Sequence, residues 1–306
     1  MRACCLASDG SRSLCWGWGV PSCTPFFCLY VLRREAVRSL GLLMQDSENT
    51  LPLNTPTRHD AHGSYGVAQT VEDFRHNLAQ VRARIAAACE RVGREAGEVR
   101  LLPVSKTVDE VRLRAAYAAG CRFFAENKPQ EAARKSEELA DLDGLRWSVI
   151  GHLQTNKAKL VAGCAEEFQA LDSLRVAEAL ERRLQQLGRG LDVLVQVNTS
   201  NEASKFGLPP EEVAAFLRQL GAFPALRVRG LMTLAMLSED ARAVRACFVR
   251  LRSLRDALRE AAPVGVVLDE LSMGMSGDFE IAIEEGATIV RVGQAIFGSR
   301  APVSAG

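Results

Sequence analysis

From position 70 onward the chain alternates between short apolar runs and stretches whose apolar residues recur at helical spacing. The first such stretch, 71–96, predicts a long amphipathic helix. Eight runs then read as strands: 99–105, 122–125, 146–151, 167–171, 191–198, 227–232, 266–272 and 288–292. Helical patterns separate them, including 108–119, 129–139, 174–187, 210–220, 239–261 and 279–285. Eight strands each followed by a helix, within roughly 240 residues, match a single closed (β/α)8 barrel. The rival architecture is a doubly wound open sheet. No GxGxxG follows the first strand, which leaves the dinucleotide-binding form of that rival without support.

Residues 1–66 do not share this alternation. An uncharged stretch, 13–32, lies between Arg2 and Arg12 on one side and Arg33 and Arg34 on the other. Gly17, Gly19, Pro21 and Pro25 interrupt it, and no A-x-A cleavage site follows, so it makes a poor signal peptide and a poor membrane span. The polar, turn-rich segment 45–68 predicts a disordered linker. The expected organisation is a dispensable N-terminal extension over 1–66 and a barrel over 67–306.

Composition adds a little. With 47% hydrophobic residues the chain can build a sizeable core. A net charge of +1 without a long basic stripe argues against nucleic acid as the main partner. Cys89, Cys121, Cys164 and Cys247 share no metal-ligand spacing and read as buried free thiols in a reducing cytosol. Of 38 basic residues only six are lysines, at 106, 128, 135, 157, 159 and 205. Chemistry that needs an amine able to lose its proton, such as Schiff-base formation, is one reason to keep lysine where arginine is otherwise preferred.

In a barrel of this kind, functional groups gather at the C-terminal ends of the strands. Those ends carry Ser105-Lys106-Thr107, Glu126-Asn127, Gly151-His152, Asp172, Asn198, Met232-Thr233, the run 272–276 and Arg291-Val292-Gly293. An amine at the rim of a packed strand layer is partly desolvated, which favours its neutral form and lets it attack an aldehyde. Snorkelling out to solvent is the plainer role for a strand-end lysine. The glycine-rich turns after strands seven and eight favour the functional role. Barrels frequently build phosphate sites there, from backbone N–H groups, a hydroxyl such as that of Ser276 and a helix start.

Several segments together resemble the pyridoxal phosphate homeostasis proteins, also described as proline synthase co-transcribed homologues. They are LLPVSKT (101–107), FAENKPQE (124–131), IGHLQTNK (150–157), QVNTSNEASKFG (196–207), RGLM (229–232), LSMGMSGDFE (271–280) and VRVGQAIFG (290–298). The resemblance runs from about residue 70 to 300 and excludes 1–66. It implies a barrel similar to the N-terminal domain of alanine racemase, with pyridoxal 5′-phosphate (PLP) held as a Schiff base on Lys106. It further implies Ser276, Gly293 and Gln294 as the phosphate cradle. Arg291 would lie near the pyridine nitrogen or the phosphate, and Asn127, His152, Asn198 and Met232 would line the site. Ala125, Ser148 and Gln294 stand where the family commonly has glycine, histidine and threonine or serine.

The function implied is intracellular PLP homeostasis without catalytic turnover, in a cytoplasmic monomer with PLP-accepting apoenzymes as candidate partners and no membrane attachment. The alternative is a monomeric PLP-dependent amino-acid racemase or lyase with Lys106 as its base. Against it, an Arg partner leaves the cofactor a weak electron sink, and Tyr117, the only tyrosine after Tyr65, reads as a buried helix-face residue. The remaining lysines are expected to be dispensable for cofactor retention, with Lys157 and Lys205 as candidate contacts to a polar ligand.

Overall fold

The computed structural model describes residues 65–200, 202 and 205–299. The extension expected over 1–66 lies outside the described residues, apart from Tyr65 and Gly66.

Helix α1 (Val71–Arg91) opens with a capping box in which Thr70 and Asp73 satisfy each other's backbone N–H groups. It buries Phe74, Leu78, Val81, Ile85, Ala88 and Cys89, the three- and four-residue spacing of one helical face. It ends five residues before the expected boundary. Gly93 takes a left-handed φ of 66°, and Arg94 N turns back to donate to Cys89 O at 3.0 Å.

The alternation then unrolls as β1 (Arg100–Pro103), α2 (Glu110–Ala118), β2 (Phe123–Glu126), α3 (Pro129–Glu138) and β3 (Arg146–Val149). Next come α4 (Ala158–Cys164), β4 (Glu167–Leu171), α5 (Leu174–Leu187), β5 (Leu191–Gln196), α6 (Pro210–Leu220) and β6 (Leu226–Met232). The chain finishes with α7 (Ala241–Arg259), β7 (Glu270–Ser272), α8 (Phe279–Glu284), β8 (Ile289–Val292) and α9 (Gln294–Phe297). All eight expected strands form. The seventh is shorter than its apolar run: its register with β6 begins at Glu270, and upstream Val267 N donates to Val228 O at 3.1 Å.

The strands are parallel and ordered β1-β8-β7-β6-β5-β4-β3-β2. Seven neighbouring pairs are in register, from six residue pairs between β5 and β6 down to one between β7 and β8. The eighth seam, between β1 and β2, is closed by the single bridge Val104–Ala125, with Ser105 N donating to Ala125 O at 2.9 Å. A ring in which the first and last positions meet is the (β/α)8 barrel, and the open-sheet alternative is excluded.

The ring's interior is not wholly apolar. Ser272 on β7 donates to Gln169 Oε1 on β4 at 2.6 Å. Those strands are not neighbours, so the bond crosses the lumen. Gln169 Nε2 donates to Glu167 Oε1 (2.5 Å), and Glu167 Oε2 accepts from Arg100 on β1 (2.5 Å). This polar column reaches a cavity of about 310 Å³ where the strands begin, lined by Arg100, Arg146, Glu167, Asp192, Arg227 and Glu270 among others. Among the described residues no helix is long and apolar enough to cross a membrane.

Candidate functional site

Lys106 lies half-buried in the turn after β1. Its neighbour Thr107 has φ 65°, the only non-glycine residue with a positive φ among those described. Left-handed backbone at a β-branched residue costs about 1–3 kcal/mol and persists only where its surroundings hold it. Here the hold comes from α3 and the end of β2. Thr107 N donates to Glu131 Oε1 at 2.8 Å, and Ser105 Oγ donates to Glu126 Oε1 at 2.6 Å. The ammonium of Lys135, 1% exposed, donates to Ser105 O (2.8 Å), Glu126 Oε1 (2.7 Å) and Glu131 Oε1 (2.8 Å). The residues on both sides of Lys106 are thus tied to one ion cluster.

Burial pushes the Glu126 carboxyl up, while Lys135 and Ser105 draw it back down. Glu131 goes the other way. Desolvation raises it, but the Lys135 hydrogen bond and the Thr107 amide outweigh that and hold it below the ordinary glutamate value. A lowered folded pKa contributes stability that is present above the unfolded value, about pH 4.3, and is lost as pH falls through the folded one. Glu131→Gln should therefore flatten the acid limb of stability against pH. The loss at neutral pH should be on the order of 1 kcal/mol, because solvent screens a half-buried carboxylate. Urea unfolding at pH 3, 5 and 7 measures this, and parallel curves for the two proteins would refute it.

The loops after β7 and β8 meet beside this turn. Gly274 takes a φ of 93°, and a Cβ there would sit 2.8 Å from Phe279 Cα, so only glycine fits where the loop folds against α8. Gly274 O accepts from Arg291 N at 3.0 Å. Ser276 Oγ accepts from Gly293 N at 3.3 Å, which brings together two of the expected cradle groups. A Cβ on Gly293 would lie 3.2 Å from Val104 O, two residues before Lys106. The lysine turn and the hydroxyl–amide pair thus occupy three consecutive strands, β1, β8 and β7. Gln294 is exposed at the first position of α9, where its backbone N–H has no intrahelical acceptor.

Arg291 is 2% exposed. It donates to neutral oxygens, Ser272 Oγ at 2.6 Å and Thr233 O at 2.8 Å. Burial lowers its pKa to about 10, with Asp278 and Glu167 opposing at longer range. It stays charged at neutral pH, a buried cation at the head of the polar column. An anionic or electron-rich group is what such a cation attracts.

The expected lining residues differ in what they do. His152 is exposed after β3, stacked on Phe206 with centroids 3.9 Å apart, and its Nδ1 lies 3.4 Å from Asp172 Oδ2. Asn198 turns inward on its own loop: its Nδ2 donates to Glu202 O (2.9 Å), and its Oδ1 accepts from Ser200 N (3.3 Å). Asn127 is exposed after β2, and Met232 is fully buried between Gln196 and Ser272 in register. Tyr117 is half-buried rather than buried, since its hydroxyl reaches out to Asp143 O at 2.7 Å. Lys205 donates to Ala235 O (2.9 Å) and pairs with Glu202. Of the four cysteines among the described residues, all unpaired, Cys121 and Cys164 have thiols pushed up to about 11 by burial and stay protonated.

Residues 72–301 match the family model described as the alanine racemase N-terminal domain. The pyridoxal phosphate homeostasis protein of Aquifex aeolicus is 43% identical over 223 residues, covering 73% of this chain and 96% of that protein. The chain belongs to the pyridoxal phosphate homeostasis protein family. Another member, from Pseudomonas aeruginosa, is 43% identical over 224 residues, 73% of this chain and 94% of that one. The structure of PipY from Synechococcus elongatus PCC7942 with PLP bound superimposes with a TM-score of 0.66 at 37% identity, covering 74% of this chain and all of that one.

Three contributors to the site escaped the sequence reading: Glu131, Lys135 and Phe206. A glutamate four residues before a lysine reads as an exposed helix-surface pair, and nothing local marks it as buried.

Proposed function

We propose that this chain binds PLP at the C-terminal end of the barrel and serves PLP homeostasis without turning over a substrate. Lys106 would hold the cofactor covalently, its amine nitrogen bonding to the aldehyde carbon with loss of one water. Ser276 Oγ, with the backbone N–H groups of Gly293 and Gln294, would hold the phosphate. Arg291 would face its ring or phosphate from below, with Asn127, His152, Asn198 and Met232 around them.

The observation that carries this reading is the placement of a hydroxyl–amide pair beside the end of β1. A Cβ on Gly293 would lie 3.2 Å from Val104 O, so the amide of the pair sits close against the end of β1. The donor set, an amine, a hydroxyl with backbone amides and a buried cation, fits a phosphorylated aldehyde. Bound there, PLP supplies an electron sink whose strength depends on its ring-nitrogen partner. Arg291 cannot accept a proton from that nitrogen or donate one readily, which favours a holding role over turnover.

Adding PLP to purified protein, reducing with borohydride and mapping peptides tests the proposal. A reduced adduct on the Lys106 peptide is expected; colourless, unlabelled protein would overturn it. Conversion of single L-amino acids to D-isomers by the holoprotein, lost in Lys106→Ala, would favour the racemase reading instead.

The proposed setting is the cytoplasm, supported by four unpaired cysteines among the described residues. The proposed state is a monomer that passes PLP to apoenzymes. Exposed apolar side chains after β5 and β6, Phe206 at 57% and Leu237 at 100%, support a transient partner there. Elution as a dimer, or transfer to an apoenzyme no faster than free PLP, would count against it.

A further inference from the structure

We infer that Lys135 is a positioning residue for Lys106, acting across the β1–β2 seam; this rests on the proposed attachment of PLP to Lys106. The seam is one of the ring's two thinnest, formed by the single bridge Val104–Ala125, and it ends directly beneath the Lys106 turn. Lys135, carried by α3, reaches both of its sides. It bonds Ser105 O from the β1 side and Glu126 Oε1 from the end of β2. Through Glu131 Oε1 it also supports the acceptor that fixes Thr107 N in its left-handed turn.

A fully buried ammonium with three acceptors is a costly way to stabilise a helix, because replacing such a cluster by apolar side chains is often neutral or favourable. It makes sense as a geometric device. Ser105 and Thr107 are fixed on either side of Lys106, so the lysine backbone has one orientation. Glu126 Oε2 is buried with no hydrogen-bond partner, so the cluster accepts an unsatisfied oxygen to keep this arrangement. Attachment needs the amine aimed at a carbon whose phosphate is already gripped, and misplacement by about 1 Å can slow a reaction about a hundredfold. Binding of the phosphate alone has no such requirement.

The test compares two ligands: PLP, which can attach, and pyridoxine 5′-phosphate, which has the same phosphate and ring but no aldehyde. In Lys135→Met, attachment of PLP to Lys106, read by borohydride trapping against time, should slow by about ten- to a hundredfold. Affinity for pyridoxine 5′-phosphate should be unchanged. Glu131→Ala, at a half-buried position, should slow attachment in the same selective way, and it decides the matter if Lys135→Met does not fold. Adding Thr107→Gly to Lys135→Met should restore part of the rate, since glycine adopts that turn without support. Wild-type attachment rates in both variants, or equal losses for both ligands, would overturn the inference. Absence of any adduct in the wild-type protein would instead overturn the proposed function itself.

Discussion

Lys106→Ala should abolish the covalent PLP adduct while leaving the fold intact. Lys106 is half-buried at a strand end, and truncating it should cost on the order of 1 kcal/mol. The absorption band of the attached cofactor should disappear, and borohydride should leave the protein unlabelled. The cradle of Ser276 and Gly293 remains, so pyridoxine 5′-phosphate should still bind. The alternative amines are identifiable. Lys135 is buried within its ion cluster, and Lys205 is bonded to Ala235 O and Glu202. An adduct persisting on either of them in Lys106→Ala would remove the basis for assigning the attachment site.

Gly274→Ala should be strongly damaging to both stability and the phosphate cradle. The new Cβ would meet Phe279 Cα at 2.8 Å and Ala282 Cβ at 2.7 Å, and the backbone there has a φ of 93°. Neither α8 nor the loop can relax without moving the carbonyl that accepts from Arg291 N. Overpacking and left-handed strain together should cost about 2–4 kcal/mol. Displacing the loop also displaces Ser276, so affinity for pyridoxine 5′-phosphate should fall with stability. An unchanged urea midpoint would show that the loop is more compliant than its contacts indicate.

Much of the barrel was legible in the sequence because its elements carry their own punctuation. Helix α5 matches the expected 174–187 at both ends: Ser173 caps its start by accepting from Val176 N, and Gly188, with a φ of 62°, closes its end. The strands were legible as apolar runs, and eight of them alternating with helices pointed to the closed ring. Helix α4 was missed. It has seven residues, contains Gly163 and follows Lys157, which makes no side-chain cap, so local signals for it are weak.

The site divides in the same way. Lys106, Ser276 and Gly293 stand in motifs at predictable strand ends, and the structure brings the cradle pair together next to the lysine turn. The supporting cluster has no such signature. Glu131 and Lys135 belong to a polar helix pattern, Glu126 reads only as one more polar strand end, and closure of the ring carries Ser105 and Thr107 to them. Asn198 shows the converse. Its position at a strand end suggests a ligand contact, yet its amide serves the loop that follows.

The ring's uneven stitching has a mechanical consequence. A hoop pinned lightly at two of its eight joints, β1–β2 and β7–β8, loosens first there, so transient breathing concentrates at those two gaps. Amide exchange at Ser105 should then outpace exchange along β5 and β6, whose six-residue ladder is the longest in the barrel. The turn that carries Lys106 stands beside one of these gaps, and the ion cluster around Lys135 is what braces it there.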